Sequence, residues 1–258
     1  LIDLQMKEYL NTAYLGFLME DTLSSTKFLK IRQAINYGFD RRKMLKFLRN
    51  NIGTPAENGF IPKGLPSFND SVFGYNYNPE LARELIKDVK IDVGSELGVI
   101  RLSTTSSYLD ICEYIQNELL GLGLNVVIDV NPPSINRQMM ATSKLSFFRA
   151  GWIADYPDAE NYLSLFYGKN FSPSGPNYTH FKNDEFDKLY QLALSENNDS
   201  LRYNYYNKMD KIIIDNAVIV PLYYDKVLRF SHKNIFGLTN NPINMLNLKT
   251  VNKVLVNP

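Results

Sequence analysis

The chain has 258 residues, of which 45% are hydrophobic and 21% are charged, so it has the composition of an ordinary globular protein that can bury a sizeable core. Its 28 basic and 27 acidic side chains leave a formal net charge of +1, so no global field attracts nucleic acid, acidic polymers or anionic lipid. A single cysteine, Cys112, excludes an internal disulfide and a cysteine-rich metal site.

The first third of the chain is predicted to contain one strand and three helices. Residues 9–19 have strand character, but no partner strand is obvious nearby. Residues 28–40 repeat apolar side chains at helical spacing, and a second helix is expected over residues 41–49. Residues 53–77 are rich in proline and aromatic side chains without a period, which predicts an ordered, irregular loop. Asn78 and Pro79 then begin a helix that runs to Ile86.

From residue 97 the pattern alternates regularly between strand and helix. Such alternation is typical of a parallel sheet with crossover helices, so we expect three parallel strands with helices on the faces of the sheet. The predicted strands are residues 97–103, 124–130 and 145–150, and the predicted helices are residues 109–120 and 134–141.

The remainder is predicted to be mostly helical before two late strands. Helices are expected over residues 162–166, from Asn183 onward, and over residues 200–215. The predicted strands are residues 218–224 and 227–230, and residues 234–258 form an Asn-rich tail with little helical period.

The stretch of residues 148–160, FRAGWIADYPDAE, holds the candidate functional residues. Gly151 and Pro157 break the chain after the third parallel strand, so Trp152 and Asp155 are predicted to lie just past its end. In open α/β sheets, ligands bind in the crevice outside the carboxyl ends of the strands. We therefore place the site here.

Purely structural roles stay open for these residues. Asp155 could form a turn with its own backbone, and Trp152 could be packed in the core. Arg149 could pair with Asp155 rather than with a ligand. Asp158 could cap the following helix, and Glu160 is expected to be solvated.

Catalysis is the competing class of function. Asp155, Asp158 and Glu160 could supply the paired carboxylates of a glycosidase. However, the sequence has no nucleophile motif and no phosphate-binding loop, and His180 and His232 do not have metal-ligand spacing. We expect no enzymatic activity, no cofactor and no metal.

Four separated blocks carry a resemblance to a known family. Together, and in this order, they resemble the C-terminal half of an extracellular solute-binding protein of the oligopeptide- and dipeptide-binding family, the receptors that feed ABC importers. The resemblance covers residues 9–230. The blocks are residues 31–41 (IRQAINYGFDR), 75–79 (YNYNP), 151–158 (GWIADYPD), and 178–187 closed by 219–223 (IVPLY).

The resemblance implies an α/β fold like that of class II periplasmic binding proteins. This chain would be the C-terminal lobe, a mixed sheet with a parallel βαβαβ core flanked by helices. Family members are about twice as long, and two lobes close over the ligand. Residues 1–20 would then be a strand segment that crosses from the missing N-terminal lobe, residues 21–230 the ligand-binding lobe, and residues 231–258 a tail that returns to the missing lobe.

The resemblance also implies roles for the candidate residues. The aspartate matched by Asp155 pairs with the α-amino group of the ligand, and the tryptophan matched by Trp152 lines a side-chain pocket. Arg149 falls where some members use an arginine against the ligand's carboxylate. The adjoining residues Ile153, Ala154 and Tyr156 complete the candidate site. Ala159 departs from the family, where proline usually follows the matching Asp-Tyr-Pro-Asp, and this weakens the local turn.

The implied function is solute binding, with peptide as the expected ligand, in the receptor of an ABC importer. The partners would be the ABC transporter permease subunits and the missing lobe, without nucleic acid. The protein would be periplasmic or membrane-anchored outside the cytoplasm, and a signal sequence is absent from this fragment. The alternatives are a non-peptide solute such as a sugar or nickel, and an interaction protein without a transport role.

Overall fold

The computed structural model describes residues 2–94, 96–239, 241 and 243–254, and it has a mixed sheet at its centre. The strands are β1 (Ile2–Phe17), β2 (Thr54–Pro55), β3 (Ile100–Thr104), β4 (Val126–Val130), β5 (Phe147–Ile153), β6 (Ile219–His232), β7 (Ile235–Phe236) and β8 (Asn252–Lys253). Six of them lie in the order β2-β6-β1-β5-β3-β4, and a separate pair is formed by β7 and β8. The helices are α1 (Leu29–Tyr37), α2 (Arg41–Leu48), α3 (Pro79–Val93), α4 (Leu109–Leu120), α5 (Pro133–Ala141), α6 (Glu160–Leu163), α7 (Asp184–Ser195) and α8 (Asp199–Asp215).

The predicted parallel core is confirmed. β3 pairs in parallel with β4, with Ile100 opposite Val126, and in parallel with β5, with Leu102 opposite Phe147. The crossover helices are α4, which has the predicted bounds, and α5, which begins one residue earlier at Pro133. Because all three strands run the same way, their carboxyl ends meet at one edge of the sheet.

β1 finds its partners inside this chain. Its second half pairs antiparallel with β5 on one side and with β6 on the other, and Leu10, Ala13 and Leu15 are fully buried. Residues 10–17 are therefore an integral part of this sheet.

The first half of β1 forms a two-stranded ribbon that leaves the sheet. Residues 2–8 pair with residues 226–232, so the two late strands expected from the sequence are one continuous strand, β6. Asn11 pairs with Ile153 at the carboxyl end of β5. The ribbon lies before Asn11 in the chain, and it therefore extends beyond the edge where the parallel strands end.

The two faces of the sheet carry separate cores because successive side chains on a strand point to opposite faces. Phe148 belongs to one apolar cluster, which includes residues of α7 and α8. Phe147 belongs to the other cluster, on the side of α1 to α4. The central strands are thus covered by helices on both faces. The edge of the sheet where the parallel strands end is therefore held between two packed cores.

Two arginines of the block at residues 31–41 have structural roles. The Nε of Arg32 donates to the carbonyl of Ala217 at 3.1 Å, and the Nε of Arg41 donates to that of Pro221 at 2.6 Å. Burial lowers the pKa of each guanidinium to about 10, which still leaves both charged at neutral pH. Arg32 fastens α1 to the turn just before β6, and Arg41 fastens α2 to β6; neither residue lines the candidate site.

The irregular and terminal segments largely follow the sequence. Residues 53–77 form a loop whose only strand is the two-residue β2, within the part of the chain that is described. The tail contains β7 and β8, and residues 255–258 lie outside the described residues. None of the helices in the described ranges has the length and apolarity needed to cross a membrane.

Candidate functional site

A cavity of about 480 Å³ lies at the edge of the sheet where the parallel strands end. The loop after β3, one face of α5 and the last residues of β5 form its walls. Its lining residues are Tyr14, Thr105, Ser107, Tyr108, Pro133, Asn136, Arg137, Met140, Arg149, Ala150, Gly151, Trp152 and Tyr178. The predicted site residues Arg149 and Trp152 therefore share one cavity, in the place expected from strand topology.

Arg149 presents a cation to this cavity without a counter-ion. Its guanidinium carbon lies 3.2 Å from the ring centroid of Tyr108, and its Nε is buried without a hydrogen-bond partner among the described residues. No ion pair joins it to Asp155 or to any other carboxylate in the ranges described. Arg149 therefore does not pair with Asp155. Its guanidinium can donate to an anionic or polar group of a ligand.

Trp152 lies inside β5 rather than just past it, opposite Thr12 of β1. The indole is half-buried, and its Nε1 donates to the Oδ1 of Asn161 at 2.8 Å. The same Oδ1 accepts the backbone N–H of Asp155 at 3.2 Å. One buried amide of α6 therefore orients both the indole and the start of the following loop.

Asp155 is exposed two residues beyond the end of β5. Within the described residues, no hydrogen bond or salt bridge engages its carboxylate; its recorded bond is made by its backbone N–H. The proposed turn role thus has no support from hydrogen bonding. Asp155 does not line the cavity itself; it lies three residues beyond the lining residue Trp152, and its carboxylate is unpaired among the described residues.

The other two carboxylates of the stretch are engaged in the fold. Asp158 accepts the backbone N–H of Glu160 at 2.9 Å and forms an ion pair with Arg202. Glu160 accepts hydrogen bonds from the hydroxyls of Tyr156 and Tyr190, so the prediction that Glu160 is solvated was wrong. Burial and this carboxylate raise the pKa of Tyr156 to about 12, which keeps the hydroxyl a donor.

The three remaining predicted residues lie outside the cavity lining. Ile153 is 52% exposed at the strand end, and Tyr156 is 44% exposed. Ala154 is packed in the core, and its backbone N–H donates to the carbonyl of Leu10 at 2.9 Å. Its methyl group is therefore shielded from a ligand in this structure, unlike the side chains of Ile153 and Tyr156.

Sequence reasoning missed several residues that shape the site. Tyr108 supports Arg149, Asn161 holds Trp152, and Asn136 and Tyr178 line the cavity. Tyr108 carried a signal, because it follows a predicted parallel strand near its carboxyl end, as site residues in such sheets do. Tyr178 stands at the start of one block of the resemblance.

Comparison with known proteins places these features in a family. The family model described as "Bacterial extracellular solute-binding proteins, family 5 Middle" matches residues 2–174. Heme-binding protein A of Haemophilus influenzae is 27% identical over 230 residues, which cover 86% of this chain and 40% of that protein. Oligopeptide-binding protein OppA of Bacillus subtilis is 27% identical over 219 residues, which cover 81% of this chain and 39% of that protein.

Solved structures share the fold over nearly the whole chain. The substrate-binding protein CtaP of Listeria monocytogenes superposes with a TM-score of 0.85 and 21% identity, covering 98% of this chain and 52% of that one. DppA of Helicobacter pylori, solved in complex with the peptide STSA, gives a TM-score of 0.84 and 22% identity, covering 98% and 49%. The chain spans about half the length of these relatives. The chain belongs to the family 5 bacterial extracellular solute-binding proteins.

Proposed function

We propose that this chain is the C-terminal ligand-binding lobe of a two-lobed receptor that delivers peptides to an ABC importer. The observation that carries the proposal is that, among the described residues, the carboxylate of Asp155 and the cation of Arg149 have no ion-pair partner. Asn161 holds the backbone of Asp155 together with Trp152, which lines the same cavity as Arg149. The guanidinium of Arg149 lies over the ring of Tyr108. Both charges are therefore available to a ligand.

A peptide has the charges that these two side chains complement. Its α-amino group suits the carboxylate of Asp155, and its carboxylate suits the guanidinium of Arg149, because charge-assisted hydrogen bonds are the strong ones and guanidinium can grip a carboxylate bidentately. Trp152 and its neighbours offer apolar surface to the side chains between the two ends. The site would bind a zwitterion without catalysing a reaction on it.

The ribbon of residues 2–8 and 226–232 is evidence for the proposed second lobe. Leu4 and Phe230 face each other across it and are 52% and 65% exposed. A lone two-stranded ribbon is marginal in water, and an exposed apolar face calls for a covering surface. The ribbon extends past the carboxyl ends of the strands, so a lobe docked on it would stand over the cavity. Permease subunits and an extracytoplasmic location belong to the same proposal.

The names of several relatives agree with a peptide ligand. Besides OppA of Bacillus subtilis, they include the dipeptide-binding protein of Escherichia coli, 22% identical over 94% of this chain. The glutathione-binding protein GsiB of Salmonella typhi is 25% identical over 81% of this chain. These names concern those proteins, and they make peptides the first class of ligand to test here.

Native mass spectrometry of the complete receptor tests the proposal. The protein is incubated with a defined peptide mixture, washed, and the retained molecules are identified after denaturation. We expect retention of peptides with free amino termini and loss of their N-acetylated counterparts, which lack the cation that Asp155 would hold. If neither set of peptides is retained, the protein is not a peptide receptor.

A non-peptide solute is the second candidate, because Heme-binding protein A shows that a relative of similar identity is named for a different ligand. The same incubation with haem, sugars and nickel, read by absorbance and mass, separates the two candidates. Retention of one of these in place of every peptide would assign the site to that solute.

A further inference from the structure

Asn136 is a buried amide that lines the cavity without a hydrogen-bond partner. The residue lies on α5 with 3% of its surface exposed, and its Oδ1 accepts no hydrogen bond in the part of the chain that the structure describes. Its backbone N–H is satisfied by the carbonyl of Pro132 at 2.9 Å. Buried polar oxygens are nearly always paired, because an unpaired one has lost its hydration without compensation. The Oδ1 of Asn136 is one of seven buried, unpaired side-chain atoms among the described residues, and only Asn136 and Arg149 of those seven residues line the cavity.

Packing alone does not explain an amide at this position. Asn136 and Met140 are one helical turn apart, so they lie on the same face of α5, and both are buried against the cavity. An apolar side chain at residue 136 would continue that face at no polar cost. Arg149 lines the same cavity but makes no hydrogen bond to Asn136 within the described structure, since its guanidinium lies over Tyr108.

The cavity that Asn136 lines has aromatic and apolar wall residues as well as polar ones. Tyr14, Met140, Trp152 and Tyr178 line the same cavity, and the indole N–H of Trp152 is already donated to Asn161. A ligand side chain in this cavity can pack against these four residues. Asn136 lines the same cavity, and its buried Oδ1 has no hydrogen-bond partner among the described residues.

We propose that Asn136 selects ligand side chains that have an apolar body and a hydrogen-bond donor at the end, as tyrosine does. The inference rests on the proposed peptide-binding function and names a specificity residue within it. A peptide backbone segment suits this part of the cavity less well. It would bring a carbonyl as well as an N–H against the apolar wall residues. A site that hydrogen-bonds a ligand hydroxyl rejects the analogue without it, since its own buried group is then left unpaired.

Matched tripeptides test this selection by calorimetry with the complete receptor. Tyrosine and phenylalanine are compared at each position in an alanine background: Tyr-Ala-Ala with Phe-Ala-Ala, Ala-Tyr-Ala with Ala-Phe-Ala, and Ala-Ala-Tyr with Ala-Ala-Phe. At one position we expect the tyrosine peptide to bind about 10-fold more tightly or better, the scale of a buried hydrogen bond. Asn136→Leu should remove or reverse that preference.

Two further variants make the outcome specific to the acceptor. Asn136→Asp keeps an oxygen at this place and should keep a preference for a donor. Asn125→Leu changes an exposed asparagine at the amino end of β4, away from the cavity, and should leave the preference unchanged. If no peptide binds the native receptor, the proposed function falls and the inference with it. If peptides bind with equal affinity in all three pairs, or if Asn136→Leu keeps the preference, only the inference is overturned.

Discussion

At the scale of single residues, Asp155 and Arg149 differ from the other charged side chains of the stretch at residues 148–160. Asp158 accepts a backbone N–H and pairs with an arginine, and Glu160 accepts hydrogen bonds from two tyrosine hydroxyls. The carboxylate of Asp155 and the guanidinium of Arg149 form no ion pair within the described structure. The sequence alone does not distinguish these four charged side chains, and the fold shows which two are engaged by hydrogen bonds or ion pairs and which two are not.

The first prediction concerns Asp155→Asn in the complete receptor. Between closed lobes the ligand amine loses its water, so removing its partner strands a buried cation. We expect peptide binding to weaken by about 2–5 kcal/mol, measured by calorimetry, with little change in the thermal stability of the empty protein.

Asp215→Asn serves as the matched control, because Asp215 pairs with Lys211 on the surface of α8 and is remote from the cavity. N-acetylated peptides should bind the native receptor poorly and discriminate less against the Asp155 variant. Normal peptide affinity in Asp155→Asn, or unfolding of that variant without ligand, would assign Asp155 to the turn.

The second prediction concerns Asn161, which positions the site without being predicted by the sequence. Asn161→Ala removes the acceptor for both the Trp152 indole and the Asp155 backbone. Leaving buried donors unpaired should lower the free energy of unfolding by about 1–3 kcal/mol and weaken peptide binding. Urea unfolding followed by fluorescence of Trp152, the only tryptophan in the chain, measures the first effect.

Asn161→Asp is the control for that change, because its carboxylate oxygen can still accept both hydrogen bonds. We expect it to lie closer to the native protein than Asn161→Ala in both stability and affinity. Native behaviour of the alanine variant would show that the indole and the loop are held by other contacts.

At the scale of elements, local patterns predicted local structure well. The parallel unit from β3 to β5 was predicted because each strand and helix shows its own period, and the start of α3 because Asn78 and Pro79 mark it. The partners of β1 were not predicted, because β6 lies at the other end of the chain and pairing over that separation leaves no local pattern. Asn136 and Asn161 were missed for the same reason, since their roles depend on what the fold brings against them.

The third prediction concerns Asp210 of α8, which fastens the loop at residues 53–77 to the core. Its carboxylate accepts the backbone N–H groups of Phe60 at 2.7 Å and Ile61 at 3.2 Å. Burial raises the pKa of Asp210 to about 7, against these two hydrogen bonds, which lower it. The folded chain therefore binds this proton more tightly than the unfolded chain, whose aspartates titrate near pH 4.

A raised folded pKa fixes the sign of the pH dependence. The stabilising contribution is fully present below about pH 4 and is lost as the pH rises through about 7, so the free energy of unfolding should fall by about 2–3 kcal/mol between pH 5 and pH 8. Urea unfolding at each pH measures it. Asp210→Asn should remove this slope, whereas Asp215→Asn should retain it. A slope that persists in Asp210→Asn would show that other groups cause it.

At the scale of the whole molecule, the site and the ribbon belong to one arrangement. The parallel strands end at the cavity, and the paired halves of β1 and β6 continue past that same edge with an apolar face in solvent. A sheet that finishes its own packing has no need of such an extension. Under the proposed function, this edge would be the floor of the binding cleft and the ribbon would connect it to the second lobe.

The last prediction follows from the open cavity of this lobe. Ligand sites gain affinity by burying most of the ligand surface, and a receptor that closes like a hinge buries its ligand from both sides. This chain alone would leave one side of a bound peptide in water, including the charges held by Asp155 and Arg149, where such pairs are worth little. We expect it to bind any peptide of the complete receptor at least about 100-fold more weakly, a difference of roughly 2.7 kcal/mol. Calorimetry on both proteins, with circular dichroism to verify that the lobe is folded, makes the comparison. Sub-micromolar binding by this chain alone would mean that the cavity at the end of β5 is sufficient and that a second lobe adds little to the affinity.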